Sequence, residues 1–301
     1  MLSICIPIYN LDARNLLNQL AEQAKKLDVP CEIVAIDDGS KPEFKNINSK
    51  RESTIHYHEL DQNVGRAKIR NLFLNHTKFE NLLFIDCDSK IMHEDFLSAY
   101  IHFIQNNTYK VVCGGSIYSE QPPGKKHKLR WKYGTLKESR SAKIRNQSPN
   151  NSFMTNNFMV KRSVLEAIRF DERLTDYGHE DTLFGFRLFQ ENIPVHHIDN
   201  AVLNNEVDTN SEFALKTEKS IANLISILRF LDYDKDFIRS VKLLDFYFRI
   251  KDKPFTFAML RFGLLLFFPI IRKSFYKGNC ANLGMFDFFK IGLLREKLKQ
   301  V

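Results

Sequence analysis

Short apolar runs alternate with amphipathic stretches along the first half of the chain. Ile4 to Ile8, Glu32 to Ile36, Thr54 to His58, Leu82 to Ile85 and Lys110 to Gly114 are runs of strand length, and each predicts a strand. Between them, Leu11 to Leu27, Gly65 to Asn75 and Glu94 to Gln105 carry helical periodicity. Strand and helix in alternation predict an α/β fold with a mostly parallel central sheet flanked by helices. The rhythm breaks from Gln121 to Asn151, where Pro122-Pro123-Gly124 precedes nine Lys or Arg up to Arg145 with only Glu138 against them. That segment predicts a mobile basic loop around Trp131 and Tyr133. A helical block from Phe213 to Leu231 follows, and the chain beyond it is basic, aromatic and apolar. The expected division is a catalytic-type α/β domain over 1–212 and a C-terminal helical region over 213–301.

Composition narrows the picture only a little. With 301 residues and 44% hydrophobic content the chain can bury a sizeable core, and 27% charged residues argue against disorder. A net charge of +8 favours anionic partners such as nucleotide sugars, acidic lipid surfaces or nucleic acid, without choosing among them. The five cysteines are odd in number, form no CxxC pair and sit mostly in apolar segments, so reduced thiols are expected. The chain enters a strand-like stretch at Leu2 with no basic leader before it, which predicts a cytoplasmic protein.

Four polar constellations punctuate the pattern. Asp86 and Asp88 close the apolar run Leu82 to Ile85, at the edge of an open α/β sheet where ligands bind. Two carboxylates in one short turn repel unless a cation lies between them, and such oxygen ligands suit Mg²⁺ or Mn²⁺ carrying a diphosphate. Asp37-Asp38-Gly39-Ser40 ends the second strand on the same edge as Pro7-Ile8-Tyr9-Asn10 ends the first. A carboxylate there can accept hydrogen bonds from a nucleotide base or ribose, and the same string is equally a turn signal. In Asn63 to Asn71, Gly65 and Ala67 allow close approach of a ligand, and Arg66 and Arg70 share one helix face where they can offer guanidinium to a diphosphate. Gly178-His179-Glu180-Asp181 sets two carboxylates in a first helical turn, as dipole partners or as a general base.

In order and spacing, these elements resemble the family 2 inverting glycosyltransferases, which have the GT-A fold. The matching residues also include Thr155-Asn156-Asn157-Phe158-Met159-Val160 and Phe170-Asp171-Glu172-Arg173-Leu174, so the resemblance covers roughly 1–210. It implies a single in-line displacement that moves a sugar, of the hexosyl or N-acetylhexosaminyl class, from a nucleotide-diphosphate sugar to a hydroxyl with inversion. By that resemblance Pro7, Tyr9, Asp37, Asp38, Arg70 and Asp86 are donor-binding residues, with a UDP-sugar favoured and Arg70 meeting the diphosphate. Asp88 holds Mn²⁺ or Mg²⁺, Asp181 is the base, and Glu180 orients the acceptor or the base. Many relatives carry a metal-binding histidine where this chain has Asn204; Asn204 through its amide oxygen, or His196 or His197, is then the third ligand. A noncatalytic sugar-nucleotide-binding module, or an anionic-polymer binder using Lys125 to Arg145, is the alternative that Asn204 favours.

The tail is read without the family. Phe255 to Ile271 is interrupted by Arg261 and Pro269, too short for a comfortable membrane span, and Arg272, Lys273 and Lys277 flank it. With the amphipathic stretch Met285 to Leu298, it predicts either a helix in the plane of an anionic membrane interface or a helical pair packed on the core. The interface reading implies peripheral attachment to the cytoplasmic face and a lipid-linked or glycan acceptor in cell-surface polysaccharide assembly. No nucleic-acid partner is expected.

Overall fold

The computed structural model describes residues 1–204 and 207–299. Ten strands occur among them: β1 (Leu2–Ile8), β2 (Cys31–Asp37), β3 (His56–Glu59), β4 (Asn81–Ile85), β5 (Ser89–Lys90), β6 (Val111–Cys113), β7 (Ser116–Ile117), β8 (Asn157–Lys161), β9 (Val195–His197) and β10 (Val202–Asn204). Seven of them form the main sheet in the order β3-β2-β1-β4-β8-β6-β9, and β5-β10-β7 form a small second sheet. In the main sheet β1 pairs in parallel with β2 and β4, while β8 runs antiparallel between β4 and β6. This is a GT-A-like α/β arrangement.

The chain divides into two compact units. The first takes residues 1–119, 139–175 and 187 to 204 and holds both sheets. Its strands read as continuous apolar runs because both faces are covered: Ile4, Ile6, Leu82, Leu83, Phe84 and Ile85 are all fully buried. Helices Arg14–Lys25 and Phe96–Asn106 supply Leu16, Leu17, Leu20, Phe96, Leu97 and Tyr100 to that core. All five cysteines of the chain are free thiols.

The second unit takes 120–138, 176–186 and 207 to 299. Its centre is helix Asn210–Phe230, started by a capping box in which Thr209 and Glu212 satisfy each other's backbone N–H. Around it lie helices Lys128–Tyr133, Lys242–Lys251, Pro254–Tyr276 and Leu283–Lys299. Phe213, Phe275, Phe286 and Phe289 meet ring to ring, with Phe213 on Phe286 at 5.2 Å and Phe275 on Phe289 at 5.0 Å. A side chain at Gly292 would run into the Phe268 ring, so the glycine sets how closely the last two helices approach.

Two sequence expectations change here. The basic segment 121–151 is helical in short pieces, over Lys125–His127, Lys128–Tyr133, Gly134–Glu138, Ala142–Arg145 and Asn150–Ser152. Its ends belong to different units, and each is anchored by residues that a run of cations hides. Leu129 is fully buried with its N–H on Asn210, and buried Arg145 donates to the carbonyls of Cys113, Gly114 and Ile198. The second change is in the tail, where Pro254–Tyr276 runs as one 23-residue helix through Pro269. At about 1.5 Å per residue it is long and apolar enough to cross a membrane, by length and composition only. Within it Phe268 and Arg272 face inward: Phe268 lies against Gly292, and Arg272 bonds Glu218 at 3.2 Å and Glu296 at 3.0 Å. Both are half-buried and engaged within the unit.

Candidate active site

Because β2, β1 and β4 are neighbours running the same way, their carboxyl ends open on one edge, the ligand-binding edge of such sheets. Pro7 lies past the last β1–β4 pair, Cys5 with Phe84, where β1 parts from its neighbour. Tyr9 follows and is half exposed. Asn10, at φ 49°, then ties the first turn to the second: its N–H donates to Ser40 Oγ at 2.8 Å and its Oδ1 accepts from the Lys41 N–H at 2.9 Å.

The two aspartates ending β2 do different work. Asp37 is fully buried and accepts from the Tyr57 hydroxyl at 3.0 Å and the Ser40 N–H at 2.7 Å, so it shapes the turn. Asp38 accepts from the Val64 N–H at 2.7 Å, the Gly65 N–H at 3.3 Å and Asn63 Nδ2 at 3.0 Å. Burial raises its pKa, and those N–H groups pull it back. The loop 62–65 therefore rests on the Asp37-Asp38-Gly39 turn. Gly39, at φ 69°, is needed because a Cβ there would come within 2.6 Å of the Asn63 nitrogen.

After β4, a turn from Asp86 to Ser89 is closed by the Ser89 N–H on the Asp86 carbonyl at 3.0 Å. Asp86 accepts from Arg70 at 2.9 Å, and that guanidinium is only 2% exposed and also donates to the Arg66 carbonyl. Arg70 is thus turned inward as the brace of Asp86, while Arg66, at the exposed start of helix Arg66–His76, lies within electrostatic reach of Cys87. The Cys87 thiol is pushed up to about 12 by burial, so it packs rather than reacts. Asp88 is exposed. Directly after it, β5 pairs antiparallel with β10, which sets Asn204 opposite Ser89. This juxtaposition is invisible in the local pattern, and it brings Asn204 to the residue that follows Asp88.

No group of three His, Cys, Asp or Glu side chains that could hold a metal occurs among the described residues. The Asp88 carboxylate and the Asn204 amide carry oxygens of the hard kind that suits Mg²⁺ or Mn²⁺, a cation that diphosphate oxygens also bind. His197 is not part of it. Its Nδ1 accepts from Arg145 at 2.7 Å and its Nε2–H donates to the Pro149 carbonyl at 2.9 Å, so both ring nitrogens are committed. Burial and the neighbouring guanidinium lower its pKa to about 4, keeping the ring neutral at pH 7.

The segment 170–174 is fastened to the helix below the edge. Asn71 mimics a strand, accepting the Phe170 N–H at 3.0 Å and donating to the Phe170 carbonyl at 2.9 Å. Asp171 collects Arg173 at 2.6 Å and Arg187 at 2.5 Å, and bonding to Arg173 holds its carboxyl down to about 2. These clamps were unrecognised in the sequence, although Asn71 closes the Asn63 to Asn71 motif.

Glu180 and Asp181 belong to the helical unit and open helix Glu180–Gln190. Gly178 at φ 96° and His179 at φ 66° make the turn before them, and Asn223 holds it by donating to the carbonyls of Asp176 at 2.8 Å and Gly178 at 3.1 Å. A Cβ on Gly178 would press on Ser220 at 2.7 Å. Glu180 is buried; Asp181 is partly exposed, with its Oδ1 accepting from the Thr182 N–H at 2.6 Å. Burial drives the His179 pKa down to about 4, so the ring is neutral at pH 7.

A mostly parallel sheet with an acidic turn at its carboxyl edge and a helical extension defines a nucleotide-diphospho-sugar transferase fold. The model of glycosyl transferase family 2 matches residues 3–169, and the chain belongs to that family. Chondroitin synthase of Escherichia coli is 24% identical over 226 residues, 63% of this chain and 32% of the relative. Chondroitin synthase of Pasteurella multocida (strain Pm70) is 25% identical over 220 residues, 62% of this chain and 23% of the relative. The chain thus spans about a third or less of the curated relatives it matches. Among solved structures, mannosyltransferase PcManGT from Pyrobaculum calidifontis, in complex with GDP-Man and Mn²⁺, superposes with a TM-score of 0.61 at 16% identity, covering 99% of this chain and 86% of that one. Glucosyl-3-phosphoglycerate synthase from Mycobacterium tuberculosis, in complex with Mn²⁺, UDP and glucosyl-3-phosphoglycerate, gives 0.52 at 16% identity over 75% of this chain and 79% of that one. These structural likenesses are likenesses of fold.

Proposed function

We propose that the chain is an inverting glycosyltransferase that moves a hexosyl or N-acetylhexosaminyl group from a nucleotide-diphosphate sugar, a UDP-sugar by preference, to a hydroxyl of a glycan or lipid-linked acceptor in cell-surface polysaccharide assembly. The observation that carries this reading is the edge itself: Tyr9, Asp37-Asp38 and Asp86–Asp88 gather at three parallel strand ends, with Asn204 opposite Ser89. In this reading the base stacks by Tyr9 and hydrogen-bonds at the Asp38 turn, Asp86 takes the ribose with Arg70 fixing its orientation, and Arg66 faces the diphosphate. Asp88, with Asn204, holds Mn²⁺ or Mg²⁺, which when bound offsets charge on the departing diphosphate. Asp181 accepts the acceptor hydroxyl's proton as that oxygen attacks the anomeric carbon and the bond to the diphosphate oxygen breaks with its electron pair. Glu180, buried beside it, orients the acceptor or the base.

The second part of the reading concerns place. We infer that the exposed apolar side of Pro254–Tyr276 attaches the protein peripherally to an anionic membrane on its cytoplasmic face. Thermal-shift measurements with UDP-, GDP- and CDP-sugars, each with and without Mn²⁺, test donor and metal together. A metal-dependent shift with one nucleotide class and slow donor hydrolysis supports the enzyme. Metal-independent binding without hydrolysis or transfer supports a noncatalytic sugar-nucleotide-binding module instead.

A further inference from the structure

The helical unit contains a cavity of about 460 Å³ that has no part in the site above. Four cations line it: Lys251 at the end of helix Lys242–Lys251, Arg261 in Pro254–Tyr276, and Arg295 and Lys299 in Leu283–Lys299. Some cations of the unit are matched elsewhere: Arg249 with Asp245 at 2.7 Å, Lys290 with Asp287 at 2.7 Å, Lys216 with Asp208 at 2.6 Å. The four around the cavity have no carboxylate within 4.0 Å among the described residues. Three separate helices thus bring four cations to the wall of one cavity. The remaining wall is aromatic, with Tyr247 edge-on to Phe257 at 5.9 Å and Lys251 over Phe248 at 5.6 Å. Burial raises the pKa of Tyr247, so its hydroxyl stays protonated and able to donate.

A second observation says what kind of anion fits. Phe257 and Arg261 reach the cavity from a helix whose outer side exposes Phe255 by 78%, Met259 by 63%, Phe262 by 64%, Leu265 by 71% and Ile270 by 69%. A soluble phosphate compound has no use for that surface, whereas an acyl or isoprenoid chain does. We propose that this cavity binds the phosphate headgroup of a membrane lipid, with Arg261 and Arg295 gripping the oxygens and the lipid chain lying along the exposed side of Pro254–Tyr276. The site shares no residue with the donor edge, and it rests on and deepens the membrane reading by naming where one lipid is held.

The test uses full-length protein sedimented with phosphatidylcholine vesicles, with and without phosphatidic acid. Arg261→Gln/Arg295→Gln is compared with Lys235→Gln/Arg239→Gln, which removes equal charge from helix Lys235–Ser240. The cavity variant should lose at least about tenfold in partitioning to phosphatidic acid vesicles, and the control less than about threefold. Equal losses would reduce the effect to net charge and overturn the site. Should the Gln pair not fold, Arg261→Lys/Arg295→Lys keeps the charge and loses the fork; unaltered partitioning by that variant would also overturn it. Calorimetry with glycerol 3-phosphate separates the sources, since binding as tight as to short-chain phosphatidic acid would overturn the lipid assignment. Donor-induced thermal shifts, read on the same variants, should not change, so failure here and failure of the glycosyltransferase reading are distinguishable.

Discussion

Asp86 and Asp88 stand two residues apart in one turn, and their surroundings divide the work between them. Asp86 is braced by a buried guanidinium, whereas Asp88 is exposed beside the Asn204 strand. Asp88→Asn should therefore weaken nucleotide-sugar binding and remove its dependence on Mn²⁺, because a neutral amide is a poorer partner for a divalent cation. Calorimetry with and without the metal reads this directly, and unchanged metal dependence would count against the assignment. Asp181→Asn removes a proton acceptor and keeps its shape. Transfer should fall by at least ~10²-fold while donor affinity stays within a few-fold. A collapse of donor binding would make Asp181 a donor ligand or a fold-holding residue and pass the base role to Glu180.

At the scale of elements, the parallel strands and their flanking helices were legible because burial on both faces leaves continuous apolar runs of strand length. The aspartates at their ends were legible for the same reason, since an Asp after four buried residues marks where a strand leaves the core. What stayed hidden depends on partners distant in sequence. The antiparallel insertion of β8 between β4 and β6, the β5–β10 bridge that brings Asn204 to Ser89, and the commitment of both His197 nitrogens have no local periodicity. Arg145 reads as one more cation in a basic run, yet it is a buried donor to three carbonyls. Asp171 is a similar case, and its effect has a sign that pH can reveal. Its carboxyl is held near 2 by Arg173 and Arg187, below the unfolded value of about 3.9, so the stability it contributes is complete above about pH 4 and is lost as pH falls toward 2. With Arg173 largely exposed and screened, Asp171→Asn should cost about 1–2 kcal/mol near pH 6 and almost nothing near pH 2. Urea melts across that range measure it; a cost that did not shrink on acidification would mean packing, not charge, is at stake.

At the scale of the whole molecule, the C-terminal region is both core and surface, which sets what can be removed. Helices Pro254–Tyr276 and Leu283–Lys299 bury Phe275, Phe286, Phe289, Leu293 and Leu294 at no more than 1% exposure, and Tyr133 and Phe213 complete the cluster. Losing one such side chain costs roughly 2–5 kcal/mol, so losing five, about 10–25 kcal/mol, is as large as or larger than the ~5–15 kcal/mol that holds a domain. Truncation after Lys251 should therefore leave a chain whose helical unit no longer melts cooperatively and which aggregates on expression. The outward side of the same helix makes no such demand. Phe262→Ser/Leu265→Ser should shift unfolding by about 0.5 kcal/mol or less, since both side chains are more than half exposed, while lowering partitioning to anionic vesicles several-fold. Circular-dichroism melts and vesicle sedimentation on the truncated and the doubly substituted protein separate the roles. A truncated chain that stayed soluble and melted cooperatively would show that the two helices are an appendage, and a doubly substituted chain that still bound vesicles at full strength would remove this face from the membrane contact.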